Sequence, residues 1–406
     1  MTTAERIDWI FIDLTHLDGT LGNFVFPRIF GLTWLMYCAF YLCRKNFSVL
    51  MPFLKTEQGY TSDSLATVLF LYSAGYSIGQ FLMGFLADRF GARIVVTLGA
   101  IGSAIASAAT GSGFPLAISQ GANGVLQAAG WPGVLKMSRE WFPDANRGVI
   151  MAWWGTHLVA GGFIATNVAA AAASGGWMRA AWIPSLGLTA VAIIFAIFSK
   201  DRYTGQFRAS GAVRIPLVLN PKLVAIATMY FFVKMTRYSF LFWLPLYMTE
   251  RLGYSPIDAG YASSIYEVLG FAGVLLAGYV SEHATRGHRF PVGAVMMFGL
   301  AVLCALYPWM SRLGLMGNLT AIALIGAFTF GPDTLMAGSG TQEAVPVEAV
   351  ARAGGFVNGV GSVGQVLSPF FVSFISSHFG WDALFFTLSG ASVMGGLALS
   401  SQWRKR

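Results

Sequence analysis

Four cations lie inside long apolar stretches of this chain, Arg44 and Lys45 in one and Lys234 and Arg237 in another. A charge at the centre of a membrane helix is expensive enough to be functional by default. The two sets match, since an offset of 193 residues carries Arg44 to Arg237, Tyr37 to Tyr230 and Tyr41 to Lys234. Tyr37, Tyr41, Arg44 and Ser48 follow spacings of four, three and four and so share one helix face, as do Tyr230, Lys234 and Arg237. Arginine forks fit phosphate or carboxylate oxygens in bidentate geometry, so two of them on equivalent helices could clamp one anion. Glu267 and Asp333 are also intramembrane, which leaves the interior at +2 if all six groups are ionised. Such a cavity attracts a dianion. The structural alternative is that these cations pair with Glu267 and Asp333 or snorkel to an interface, which suits Lys45 best.

His157 lies within a further apolar stretch, where a satisfied interior residue is the plainer reading and proton linkage near neutral pH the functional one. Tyr72, Tyr76 and Gln80 form one polar stripe, and Gln120, Asn123 and Gln127 another. Either stripe could line a cavity or hydrogen-bond between helices.

The elements that must position these groups follow from composition. The chain has 406 residues, 55% hydrophobic and 11% charged with 48 glycines, and a mean hydropathy of +0.62. An ordinary soluble protein is about a quarter charged, so a soluble enzyme is ruled out and a polytopic helical membrane protein is indicated. The net charge of +8 therefore speaks to topology rather than to nucleic acid. Cys38, Cys43 and Cys304 lie in apolar runs and form neither a disulfide framework nor a zinc pattern. No Walker loop, GxSxG elbow or metal cluster suggests enzyme chemistry or a cofactor.

A spanning helix needs about 20 mainly apolar residues. Twelve stretches qualify, near 26–54, 63–87, 93–111, 114–140, 147–173, 178–199, 218–249, 257–281, 290–311, 317–341, 349–376 and 382–402. Residues 1–25, with Glu5, Asp8, Asp13 and Asp18, read as an interfacial lead-in rather than a signal peptide, and 403–406 as a basic tail. Residues 200–217 read as a linker between six-helix bundles over 26–199 and 218–402. Of the 26 Lys and Arg, 18 lie in the termini and even-to-odd connections, against Lys55, Arg179, Arg251 and Arg312 in the opposite loops. By the positive-inside rule both termini are cytoplasmic. Gly59-Tyr60-Thr61 repeats as Gly253-Tyr254-Ser255, and Gly84 to Arg89 as Gly278 to His283, each 194 residues apart. The expected fold is thus all-α, twelve transmembrane helices in two pseudo-symmetric six-helix bundles, with a site at their interface near the midplane.

Gly84 to Arg93 reads GFLADRFGAR. Gly84 permits close helix approach and Gly91 a tight turn, while Asp88, Arg89 and Arg93 offer charge pairs that break when bundles move. This GxxxDRxGxR signature resembles that of the major facilitator superfamily, and the likeness extends over the full chain.

Within that superfamily the chain is similar to the organophosphate:phosphate antiporters, which include glycerol-3-phosphate and hexose-phosphate transporters and glucose-6-phosphate translocases. YLCRKNFSVLMPFL (Tyr41 to Leu54) and TRYSFLFWLPLYM (Thr236 to Met248) resemble the helices bearing that family's two phosphate-binding arginines, here Arg44 and Arg237. WWGTHLVAGG resembles the segment with its substrate-site histidine, here His157, and GWPGVLKMSREWF the fourth-helix motif with Trp131. IYEVLGFAGVLLAGYVSE carries the eighth-helix glutamate at Glu267, and FGPDTLMAGSGTQEAVP resembles the segment from helix ten. The resemblance implies exchange of an organic phosphate for inorganic phosphate by rocking of two bundles. The candidate substrate site is Arg44, Arg237, His157, Lys45, Lys234, Tyr41, Tyr76, Gln80, Trp131 and Glu267, with Asp333 and Glu267 in coupling or charge pairing. Two departures stand out: Gln80 replaces a lysine found in many members, and Asp333 adds an acid that Lys234 could neutralise. Proton-coupled uptake of an organic carboxylate through Glu267, Asp333 or His157 is the alternative within transport. A sugar-phosphate sensor is the alternative outside it. The expected setting is a plasma or inner membrane, with an organelle as the alternative, and a monomer that binds small anions and lipid.

Overall fold

The computed structural model describes residues 22–142, 150, 153–201, 220–346 and 350–403, and every regular element among them is helical. The lead-in, the linker and the tail lie largely outside the described residues, as do Arg147, Arg202, Arg208 and Arg214. The described helices fall into twelve spans. Span one is α1 (Gly22–Phe40) and α2 (Leu42–Thr56); spans two and three are α3 (Ser62–Phe90) and α4 (Ala92–Ala109). Span four is α5 (Leu116–Gln127) with α6 (Gly130–Trp141), span five contains α7 (His157–Ala173), and span six is α8 (Arg179–Phe198). In the second half, span seven is α9 (Pro221–Leu252) and span eight α10 (Pro256–Ser263) with α11 (Ile265–His283). Span nine is α12 (Arg289–Met310), and span ten is α13 (Gly314–Leu335), a π-helical turn (Met336–Gly340) and α14 (Thr341–Ala344). Spans eleven and twelve are the two parts of α15 (Val350–Ser400), separated at Gly380, where φ of 84° and ψ of 168° are not helical.

Helix ends follow local chemistry. Thr61, Asn220 and Ser255 cap α3, α9 and α10 with side-chain oxygens, the last two ahead of a proline. Gly91, at φ 91°, turns the chain between α3 and α4. Ile78, Phe81, Leu186 and Met316 stand exposed on the outside, where hydrocarbon covers them. Seven helical stretches are long and apolar enough to cross a membrane unaided. Spans one, four, five and seven are not among them. Those four carry Arg44, Gln127, His157 and Arg237; spans four and five fall short because their described helices are only 12, 12 and 17 residues long.

Within each half, glycine lets helices touch backbone to backbone. A Cβ on Gly124 of α5 would lie 2.1 Å from the Tyr72 carbonyl of α3, and a Cβ on Gly326 of α13 the same 2.1 Å from the Tyr266 carbonyl of α11. Tyr72 and Tyr266 stand 194 residues apart, the offset of the sequence repeat, so the duplication persists as equivalent contacts.

The halves meet mainly through spans one and seven, two and eleven, and five and eight. Their polar contacts cluster toward the face opposite Gly22 and Trp403. There Lys55 Nζ lies 2.5 Å from Glu250 Oε1 and donates to Ser62 Oγ at 2.8 Å, while Trp381 Nε1 donates to Glu250 Oε2 at 2.9 Å. Ser373 Oγ donates to Asp63 Oδ1 at 2.7 Å. Beneath them Phe70 faces Phe370 at 5.0 Å, and Val49, Leu65 and Leu69 share one buried apolar cluster with Leu241, Leu244 and Ala259. At the face bearing the termini, no hydrogen bond or ion pair among the described residues joins the halves. The anticipated gate residues stay inside the first half there: Asp88 pairs with Lys136 at 3.2 Å, Arg89 lies over Phe90, and Arg93 donates to the Ala196 carbonyl. These contacts tie spans two to four and three to six within the first half.

The Lys55–Glu250 side chains are each about 30% exposed, so their pairing is screened and stabilises closure by only about 0.2–1 kcal/mol. Lys55→Gln should make the sealed face open up to about fivefold more often. The rate at which a membrane-impermeant maleimide labels Val49→Cys measures this, against a background in which Cys38, Cys43 and Cys304 are buried. An unchanged rate, with no response to added salt, would refute the latch.

Candidate functional site

Span one breaks at Tyr41, where the Arg44 and Lys45 amides both donate to the Tyr41 carbonyl, at 3.0 and 2.9 Å. No proline or glycine marks the break. Span four holds it: Gln127 Nε2 donates to the Phe40 carbonyl at 2.9 Å and Asn123 Nδ2 to that of Cys43 at 2.8 Å. Ser103 of α4 fixes both amides, donating to Asn123 Oδ1 at 2.7 Å and accepting from Gln127 Nε2 at 3.0 Å. The Gln120, Asn123 and Gln127 stripe thus serves interhelical hydrogen bonding. It also aims the cation, because Gln127 Oε1 accepts from Arg44 Nε at 3.3 Å and Nη2 at 3.2 Å.

Arg44 is otherwise flanked by π-faces, with Tyr41 at 4.8 Å and Tyr76 at 4.9 Å from its guanidinium carbon. No carboxylate pairs with it among the described residues. Tyr76 and Gln80 are half-buried on α3 and Tyr72 is buried above them. His157 is fully buried at the start of α7, its Nδ1 2.5 Å from the Trp154 carbonyl and its ring 4.4 Å from that of Tyr37 and 4.0 Å from that of Trp154. Its Nε2 is buried without a hydrogen-bond partner. Trp131 packs on Tyr37 at 5.7 Å and Trp154 at 6.0 Å, completing an aromatic box beside Tyr41.

The second half differs. Arg237 Nη1 lies 2.5 Å from Asp333 Oδ2, with its guanidinium 4.4 Å from the Phe330 ring. Lys234 Nζ donates to Asn358 Oδ1 at 2.8 Å and sits 5.0 Å from the Tyr230 ring. Asp333 is therefore paired with Arg237 rather than with Lys234, correcting the partner suggested by the repeat. Lys234 and Arg237 stand three residues apart on one face of α9, so the height of Asp333 along that helix decides between them. Asn358 was not singled out in the sequence; a polar side chain in a glycine-rich helix was the available signal. Lys45 Nζ lies 2.7 Å from Glu267 Oε1 and donates to the Leu241 carbonyl at 3.1 Å, both side chains 2% exposed. The contact with Glu267 is ionic, since neither carboxylate oxygen carries a well-aligned hydrogen bond. Gly162 makes room for it, as a Cβ there would come within 2.7 Å of Glu267 Cγ.

Tyr41 and Tyr238 each lie within electrostatic reach of both Arg44 and Arg237, so the two guanidiniums face a common region. Chemically the arrangement can hold an anion between unequal jaws, one arginine held by neutral groups and the other already against a carboxylate. Among the described residues no three His, Cys, Asp or Glu side chains gather as a metal site.

The model of the Major Facilitator Superfamily matches residues 33–337. The chain belongs to the major facilitator superfamily. It is accordingly a multi-pass integral membrane protein of a transporter family, not an enzyme. It is 26% identical over 98% of its length to a glycerol-3-phosphate transporter of Bacillus subtilis, covering 96% of that protein. It is also 26% identical over 81% of its length to a glucose-6-phosphate exchanger of Danio rerio, covering 77% of that protein. Among solved structures, a D-xylose-proton symporter superposes with a TM-score of 0.75 at 16% identity, over 94% of this chain and 98% of that one. That likeness establishes the fold, a twelve-helix arrangement of two pseudo-symmetric halves.

Proposed function

We propose that this superfamily member is a secondary transporter that exchanges an organic phosphate for inorganic phosphate by alternating access. The observation that carries the reading is the placement of Arg44 and Arg237 at equivalent positions of the two halves, facing one region. Dianion binding to both would draw the halves together. The names of the similar proteins, a glycerol-3-phosphate transporter and a glucose-6-phosphate exchanger, favour the same substrate class. Lys45 and Glu267 act as a structural bridge between the halves rather than as ligands, because they form a buried ion pair. His157, Tyr41, Tyr76 and Trp131 shape the phosphate pocket on the first half, with Gln80 half-buried beside it.

Charge explains why exchange is coupled. The six intramembrane charges sum to +2, and moving an uncompensated charge through the bilayer core costs several kcal/mol. A bound dianion cancels the sum, so the loaded carrier reorients and the empty one resists. The basic loops favour cytoplasmic termini, in an inner or plasma membrane. The sealed face is then the external one.

Labelled phosphate should enter proteoliposomes preloaded with phosphate at least about tenfold faster than empty ones. Organic phosphates outside should compete with it. Uptake that ignores internal phosphate but follows a proton gradient would replace exchange by symport, and saturable binding without flux would make the protein a receptor.

A further inference from the structure

We propose that Asp333 sets the substrate class of this site, so that it accepts an organic phosphate whose organic part is an uncharged polyol and rejects phosphorylated carboxylic acids. The inference rests on the exchange reading above. Lys45 and Glu267 cancel one another, and Arg237 is cancelled by Asp333 at 2.5 Å. What remains is Arg44, held by the neutral Gln127 oxygen, and Lys234, held by the neutral Asn358 oxygen. Two positive charges match a phosphate dianion. A phosphorylated acid brings a third negative charge, and its carboxylate would have to compete with Asp333 for the Arg237 guanidinium.

The same residue offers positive recognition. Asp333 is 5% exposed, with the Tyr230 hydroxyl beside its carboxylate, and its Oδ1 is buried without a well-aligned hydrogen bond. An acceptor so poorly served in so dry a place is costly. A substrate hydroxyl would satisfy it, whereas a substrate carboxylate would set two anionic oxygens against each other. Arg237 Nε is likewise buried and unpartnered, so the pair as it stands has one donor and one acceptor to spare. A polyol hydroxyl, which both donates and accepts, fits that combination.

The experiment compares glycerol 3-phosphate with 3-phosphoglycerate as competitors of labelled-phosphate exchange in phosphate-loaded proteoliposomes, each variant normalised to its own self-exchange. In the wild type the polyol phosphate should compete at least about tenfold better. Asp333→Asn should collapse or invert that ratio, and Asp333→Glu, which keeps the charge, should preserve its direction. Asp333→Ser replaces the Asn variant if the latter is not recovered as a monodisperse protein. An unchanged ratio in the uncharged variants, or the same change in the Glu variant, would overturn the inference while leaving exchange intact. Absence of phosphate exchange in the wild type would instead remove the exchange reading, and this inference with it.

Discussion

Arg44→Lys lowers the initial rate of phosphate self-exchange by about 100-fold or more, the expected loss when a bidentate, preorganised anion contact worth about 3 kcal/mol is removed. Lysine keeps the charge but not the fork, and it cannot both meet the Gln127 oxygen and present a flat cation between Tyr41 and Tyr76. Arg237→Lys should cost less, about tenfold, because a lysine there can still pair with Asp333 and the pair is neutral in either case. Initial rates from reconstituted wild type and variants, at matched protein content, measure the difference. Equal losses would mean that both jaws grip phosphate alike, and near-normal exchange by Arg44→Lys would show that phosphate binds elsewhere.

Much of this site could be read before any helix was placed. Arg44 and Arg237 are visible because charge inside an apolar run is rare, and their equivalence follows from an internal offset. The twelve spans are visible for the same reason, since hydropathy records which segments meet lipid. Partners are a different matter. Whether Asp333 meets Lys234 or Arg237, and whether Glu267 meets Lys45, depends on how far each helix is rotated about its axis and on the register between halves. Side chains three residues apart differ by most of a turn in height but little in hydropathy, so no pattern in the sequence separates them. The break at Tyr41 was hidden too, because its cause lies 80 residues away or more, in the amides of Asn123 and Gln127. Spans eleven and twelve, by contrast, are legible as separate segments, and the non-helical backbone of Gly380 parts them.

The second large effect concerns folding rather than binding. Gly124→Val and Gly326→Val should each prevent recovery of monodisperse protein. Even the first carbon of the new side chain would sit 2.1 Å from a carbonyl oxygen of the facing helix, Tyr72 in one half and Tyr266 in the other. Backbone cannot retreat as a flexible side chain can, so the helices must part, and overpacking of this kind costs about 1–3 kcal/mol or more. Gly390→Val is the control, since Gly390 is exposed on α15 and a Cβ there meets nothing within 4 Å. Size-exclusion chromatography of the three detergent-solubilised variants decides the matter. Sound elution of the Gly124 and Gly326 variants would show that these crossings are looser than their geometry implies.

The ends of the two halves carry one more consequence. Asp201 Oδ1 accepts from the Arg93 amide at 3.0 Å, and the Asn220 side chain accepts from the Leu223 amide at 2.8 Å and donates to the Ala344 carbonyl at 2.6 Å. Each half therefore closes its own boundary with its own residues, and neither borrows a helix cap from the other. What a single chain adds is effective concentration: two self-contained partners begin their search for each other already within one molecule, and the ratio of one to the other is fixed at synthesis.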